Sequence, residues 1–240
     1  MFGEMSIIGF FLASPTMIVL ALCSVVTVGF TVERLLYFSG RTQDTRTFMN
    51  ELGTRLKAGD AKGSLDYCQR SRSPLGRVMA QGVAAFSRTR EEITQRLDTA
   101  IDLETVEMER NIGVLGTMSN IAPLLGLFGT VVGIIRAFAD IARTGSGGGA
   151  VVAMGVSEAL MTTAAGIIVA VIATVAFNFF VRRIRTRTAQ LEDARESFLA
   201  YWSQAQQQRG AQRAPAASRP APARTPVAVD QEDPLAALLT

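Results

Sequence analysis

Residues 150–181 contain no lysine, arginine or aspartate, and Glu158 is the one ionisable side chain among them. A helix needs about 20 apolar residues to cross roughly 30 Å of hydrocarbon, so this stretch by itself ties the chain to a membrane. Two further segments qualify: residues 15–38, interrupted late by Glu33 and Arg34, and residues 113–139. The hydrophobic fraction of 48% and mean hydropathy of +0.25 agree with this, because the apolar residues are clumped rather than spread. The expected fold is all-α: a polytopic membrane protein with three transmembrane helices and helical cytoplasmic extensions.

Basic residues beside the spans give an orientation. No Lys or Arg precedes the first span, whereas Arg34, Arg41 and Arg46 follow it. The third span runs straight into residues 182–187, RRIRTR. The link at residues 140–150 holds Arg143 against Asp140. The pattern places an outer segment at 1–14, a large inner loop at 39–112, a short outer loop at 140–150 and the C-terminus inside. Met1, Phe2, Gly3 and Glu4 lack the basic start of a cleaved signal, so the first span is expected to stay.

Inside the loop, helix signals follow one another. Asp44 is placed to cap a helix ending at Lys57 before Ala58 and Gly59, and Asp60 to cap a second through Gln69. Ser73 and Pro74 open a third that runs to Phe86. Thr89 with Glu92 reads as a capping box. From there Ile93, Leu97, Ile101, Met108, Ile112 and Leu115 recur at helical spacing. The periodicity predicts one continuous helix that enters the membrane as span two. A helix at 182–208 should continue inward from span three. Residues 209–240 are rich in Pro and Ala and are expected to be disordered. Within them, residues 233–239 read either as a short docking helix or as an untethered end.

The chain has no histidine, which removes His-based acid–base chemistry, Ser–His triads and histidine metal sites. Cys23 and Cys68 have no metal-like spacing and fall in a span and a polar stretch, so no disulfide is expected. No paired acids or activated nucleophile stand in the spans. The reading calls for no enzyme activity, cofactor, metal or nucleic acid.

Stepping by fours from Glu158 gives Thr162, Gly166, Ala170, Thr174 and Asn178, a small or polar row widened by Ala159, Thr163 and Ala173. Span two carries a matching row: Gly116, Asn120, Pro123, Gly126, Thr130 and Gly133. Such rows let helices approach closely or line a cavity. Glu158 has two readings. A charge near a span's centre costs about 2.5–3.5 kcal/mol and then faces an interior or a water path. Alternatively it sits at the outer surface and orients the helix through its dipole. Arg182 lies about 36 Å from it at 1.5 Å per residue, which leaves both open.

Residues 122–135 (APLLGLFGTVVGII) and 155–166 (GVSEALMTTAAG) resemble the paired signatures of the MotA/TolQ/ExbB proton-channel family, in its TolQ/ExbB branch. Residues 58–70 (AGDAKGSLDYCQR) with Ser73, Pro74 and Leu75 resemble the same branch, and the similarity runs from about Met17 to Ala205. The family often has a proline shortly before the acid, where this chain has Ala153 and Met154. The resemblance implies a homopentamer around two copies of a single-span partner of the ExbD/TolR kind, which bears a membrane aspartate. It implies a bacterial inner membrane, with the N-terminus periplasmic and the C-terminus cytoplasmic. Protons descending their gradient would load the partner's aspartate, and the resulting rotation would reach an energy-receiving protein outside the membrane. Glu158, Thr130, Thr163 and Thr162 would then flank the ion path. Pro123, at a bend, would serve packing or pore lining with Gly126, Gly133, Gly166, Ala170 and Thr174. The rival is a non-conducting membrane scaffold in which the glycines only pack and Glu158 only orients a helix. Import, envelope maintenance and gliding motility all remain open, as does proton versus sodium.

Overall fold

The computed structural model describes residues 15–39, 44–144 and 149–213, and among them every regular element is an α-helix. In chain order these are α1 (Pro15–Ser39), α2 (Thr45–Lys57), α3 (Ala61–Arg70), α4 (Pro74–Ala84), α5 (Arg90–Glu109), α6 (Ile112–Thr144) and α7 (Gly149–Arg213). Helices α1, α6 and α7 are each long and apolar enough to cross a membrane. The expectations for residues 1–14 and 214–240 concern residues outside those described, while residues 209–213, expected to be disordered, are the helical end of α7.

Local chemistry sets the helix starts in the loop. The Asp44 carboxylate accepts from the Arg46 N–H, the Asp60 carboxylate from the Gly63 N–H, the Ser73 hydroxyl from the Gly76 N–H and the Thr89 hydroxyl from the Glu92 N–H. Each satisfies a donor that the first turn leaves without a helical partner. Gly59, at φ +76°, lets the chain turn from α2 into α3.

One expectation fails here. The helix read as continuous from residue 90 into span two is broken between α5 and α6, where Asn111 takes φ +65°. Asparagine is among the few residues other than glycine that tolerate this left-handed conformation. Met108 and Ile112 are both buried, so the apolar spacing passes through the break and hides it. Arg34 of α1 is fully buried at this joint and donates toward the Met108 carbonyl at 3.5 Å, one of those the end of α5 leaves without a helical donor. It also pairs with Glu33 at 2.5 Å and lies over the Tyr37 ring.

Beside this joint, residues 151–181 and 182–208 belong to one uninterrupted helix. Its 65 residues span about 98 Å at 1.5 Å per residue. The second half of α7 is the spine of an extramembrane bundle with α2–α5. Phe48, Leu52, Val78, Leu97 and Phe198 are among its most buried side chains. The Trp202 indole N–H donates to the Phe86 carbonyl at 2.9 Å, tying the end of α4 to α7. Arg195 of α7 pairs with Asp98 of α5, and Arg77 of α4 with Glu104 of α5. Phe38 stacks on Phe180 at 5.9 Å, so the bundle core runs into the base of the spans.

Candidate functional site

In the membrane, α6 and α7 pack antiparallel, and small residues stand at their closest approaches. A β-carbon added to Gly155 would lie 2.6 Å from the Ala137 side chain, and one on Gly133 would lie 3.0 Å from that of Ala159. Further along, a β-carbon on Gly166 would meet the Ala122 carbonyl at 2.6 Å and the Gly126 Cα at 2.9 Å. The Gly129 position is filled by the Thr162 methyl, and Gly116 faces Phe177. Backbone lies on backbone along this seam, which is how helices without a hydrophobic driving force gain dispersion contact in lipid. Large apolar side chains such as Leu124, Phe128, Ile135, Ile168, Val171 and Val175 are turned outward.

Four hydroxyls stand on or beside the seam. The Thr163 hydroxyl crosses it, donating to the Gly126 carbonyl at 3.0 Å. The buried Thr162 donates to the backbone carbonyl of Glu158 at 3.0 Å. Thr130 donates to its own helix at Leu127, 2.6 Å away, and Thr174 to Ala170 at 2.7 Å. Each O–H is used as a donor, so what these groups still offer is acceptor lone pairs.

Glu158 lies one turn from Thr162 toward the α6–α7 link, beside Ala159 where that residue meets Gly133. It is half-buried, and its carboxylate has no hydrogen bond or ion pair among the described residues. The arrangement brings together Glu158, Thr162, Thr163, Gly126, Gly133 and Gly166, with Ala170 buried against Ala122 and Val169 further along. Thr130 is half-buried and Thr174 exposed. Helix α6 is unbroken through Pro123, which removes one helical N–H from its interior.

Three residues with no role in the sequence reading enter the picture. Gly129 receives the Thr162 methyl. Thr16 of α1 reaches the same level, its hydroxyl 3.3 Å from where a Gly129 β-carbon would be, so three helices converge there. Arg136 is an exposed cation near the level where Ala137 meets Gly155, and it forms no ion pair among the described residues. Its charge inside residues 113–139 is a signal the sequence carries openly; the Thr16 contact is not. No cluster of three or more His, Cys, Asp or Glu suited to a metal occurs among the described residues.

The family model described as "MotA/TolQ/ExbB proton channel family" matches residues 70–193. That range contains the whole α6–α7 seam and Glu158. The chain is 39% identical over 125 residues to a biopolymer transport protein ExbB of Pseudomonas putida, covering 52% of this chain and 38% of that protein. It is 39% identical over 115 residues to the protein of the same name from Salmonella typhimurium (48% and 47%). A Tol-Pal system protein TolQ of Pseudomonas aeruginosa is 32% identical over 122 residues (46% and 53%). The matches thus span about half or less of these relatives' lengths.

Proposed function

The chain belongs to the MotA/TolQ/ExbB proton channel family, in its TolQ/ExbB branch, and from that premise we propose that it is the channel and stator subunit of a proton-driven membrane motor. In this reading five copies surround two copies of a single-span partner whose membrane aspartate carries the proton. The extramembrane bundle lies in the cytoplasm, and the α6–α7 link faces the periplasm of a bacterial inner membrane. The work is delivered outward, to import, envelope maintenance or gliding.

One observation carries the reading. Glu158 stands half-buried on a closed, glycine-packed pair of helices, and its carboxylate finds no partner among the described residues. A carboxyl in such a place is costly unless a partner or a water path meets it. The seam supplies neither, because α6 and α7 leave no gap between them. In this reading Glu158 meets a group from another chain.

With five such carboxyls around one axis, desolvation and mutual repulsion favour protonation of some of them. Thr162 is buried in the seam and held to the Glu158 carbonyl, whereas Thr163, half-buried and held to Gly126, keeps a lone pair able to accept from a protonated acid that passes. Each proton crossing supplies about 2.3 kcal/mol per 100 mV, so several coupled steps are needed for useful work.

The seam's glycines are used up by packing, which is what the scaffold reading also expects. The two readings part on the partner. Gentle purification of the full chain from its own membrane should retain a single-span protein with an aspartate in its span. Recovery of an intact homo-oligomer with no such protein, under conditions that keep other membrane complexes whole, would count against the motor.

A further inference from the structure

Each helix of the α6–α7 pair carries one charge in its apolar run, Arg136 within residues 113–139 and Glu158 within residues 150–181. Either charge is costly there unless it meets a partner or water. Neither forms an ion pair among the described residues.

The seam fixes their relative height and side. Gly133 faces Ala159, and Gly155 faces Ala137. In this antiparallel register Arg136 is level with Val156, two residues or about 3 Å along the axis from Glu158. Arg136 precedes Ala137 as Glu158 precedes Ala159, so each stands about 100° round its helix from a seam residue, in the same rotational sense. In two antiparallel helices, equal rotation in the same sense brings both side chains to the same side of the pair. The opposite charges therefore flank the seam together. Arginines elsewhere in this chain bridge neighbouring helices in the same way: Arg77 of α4 reaches Glu104 of α5, and Arg195 of α7 reaches Asp98 of α5.

Other charged groups near Glu158 are few. Residues 150–181 of α7 hold no second ionisable side chain. On α6, Asp140 and Arg143 lie further toward the α6–α7 link, about 9 and 13 Å along the axis from Glu158, and Asp140 has an interaction of its own. Helix α1 reaches this end at Thr16 and carries no ionisable side chain but Cys23 before Glu33.

We propose that Arg136 is the counter-ion of Glu158 within each chain, pairing with its carboxylate beside the seam whenever no group from another chain engages it. The pair lies inside one chain, so it does not depend on how many copies assemble. Its role rests on the proposed encounter of Glu158 with another chain's acid, to which it adds a positioning residue. An exposed pair adds little stability. Its effect is electrostatic: an opposite charge nearby favours the ionised carboxyl, against desolvation and against repulsion between copies. A protonated acid that arrives then meets an ionised and oriented Glu158.

Labelling with dicyclohexylcarbodiimide, which reacts with protonated carboxyls in apolar surroundings, tests the pairing with no need for proton flux. The probe is applied to the detergent-solubilised full chain, and the peptide bearing Glu158 is quantified by mass spectrometry. Arg136→Met keeps bulk and removes the charge. Its Glu158 should label about tenfold faster than the parent's, the lower end of what an opposite charge at ~4–6 Å does to a carboxyl's protonated fraction. Arg136→Lys should keep the parental rate, as should Arg143→Gln, which removes a cation too distant to pair. In liposomes holding the complete complex, Arg136→Met should lower proton flux severalfold and Arg136→Lys should not. Parental labelling in Arg136→Met would overturn the pairing, and so would equal acceleration in Arg143→Gln. Full flux in Arg136→Met would overturn the positioning role. A parent complex that conducts no protons would count against the motor and leave the labelling result to decide the pairing.

Discussion

Thr163 on α7 donates its hydroxyl hydrogen to the Gly126 carbonyl on α6 at 3.0 Å, where a β-carbon on Gly126 would lie 3.0 Å from the Thr163 Cα. Thr130, by contrast, bonds within its own helix to Leu127. The two threonines are thus separable. Thr163→Val should lower thermal stability in detergent by about 0.6 kcal/mol, and by no more than ~1.7, the range of interhelical hydrogen bonds in membranes. Thr130→Val should leave stability unchanged. Both should keep the oligomer and weaken proton-driven activity, because both remove lone pairs beside the path while conserving shape. Full activity in both variants would remove these hydroxyls from the path.

Gly166 and Gly29 make a paired test of the seam. Gly166→Ala drives a methyl into the Ala122 carbonyl and Gly126 backbone, and should cost about 1–3 kcal/mol in overpacking. Gly29→Ala on α1 meets nothing within 4 Å and should be neutral to mildly stabilising. Thermal midpoints of the two proteins in the same detergent decide it. A Gly166→Ala variant as stable as Gly29→Ala would mean that α6 and α7 do not approach as described.

Much of this architecture is legible in the residues, and the parts that are not share a cause. Span length is a one-dimensional property, so residues 15–38, 113–139 and 151–181 declare themselves by hydropathy. Caps act over three residues, so Asp44, Asp60, Ser73 and Thr89 can be read directly. The break at Asn111 is invisible because one left-handed residue barely disturbs an apolar rhythm that Met108 and Ile112 both keep. The meeting of Thr16, Gly129 and Thr162 depends on where α1 lands, which no local pattern encodes. The two glycine rows point to close packing or a cavity, and only the three-dimensional arrangement shows them consuming each other.

Cys68 tests the extramembrane core. It is fully buried among α2–α5 and α7, and desolvation pushes its thiol up to about 12. Since the thiolate is the nucleophile, at pH 8 the folded protein should hold Cys68 protonated and shielded. In a Cys23→Ala background, maleimide labelling should be roughly a hundredfold slower than in denaturant, given both the lost thiolate and the lost access. Rapid labelling of the folded protein would show that the α3–α4 packing is open.

The basic residues after α1 and in residues 182–187 predict an orientation that labelling can check. With both native cysteines replaced by alanine, Arg143→Cys and Gln204→Cys should react with an impermeant maleimide from opposite faces. Arg143→Cys should label in intact cells once the outer envelope is permeabilised, and Gln204→Cys only after the inner membrane is opened. Labelling of both without that second step would contradict the three-span topology.

The central claim is that the carboxylate of Glu158 serves proton-coupled work through another chain's acid. Proton flux into liposomes holding the complete complex, at matched protein density, measures this most directly across Glu158→Ala, Glu158→Gln and Glu158→Asp. Removing a half-buried, unpaired carboxylate should not weaken the folded oligomer, so stability and partner retention should match the parent in all three. The account predicts no flux for Ala, severe impairment for Gln, which keeps shape without ionisation, and partial flux for Asp, which keeps ionisation one methylene short. A fully active Ala variant would contradict it and return Glu158 to the role of a residue that merely orients its helix.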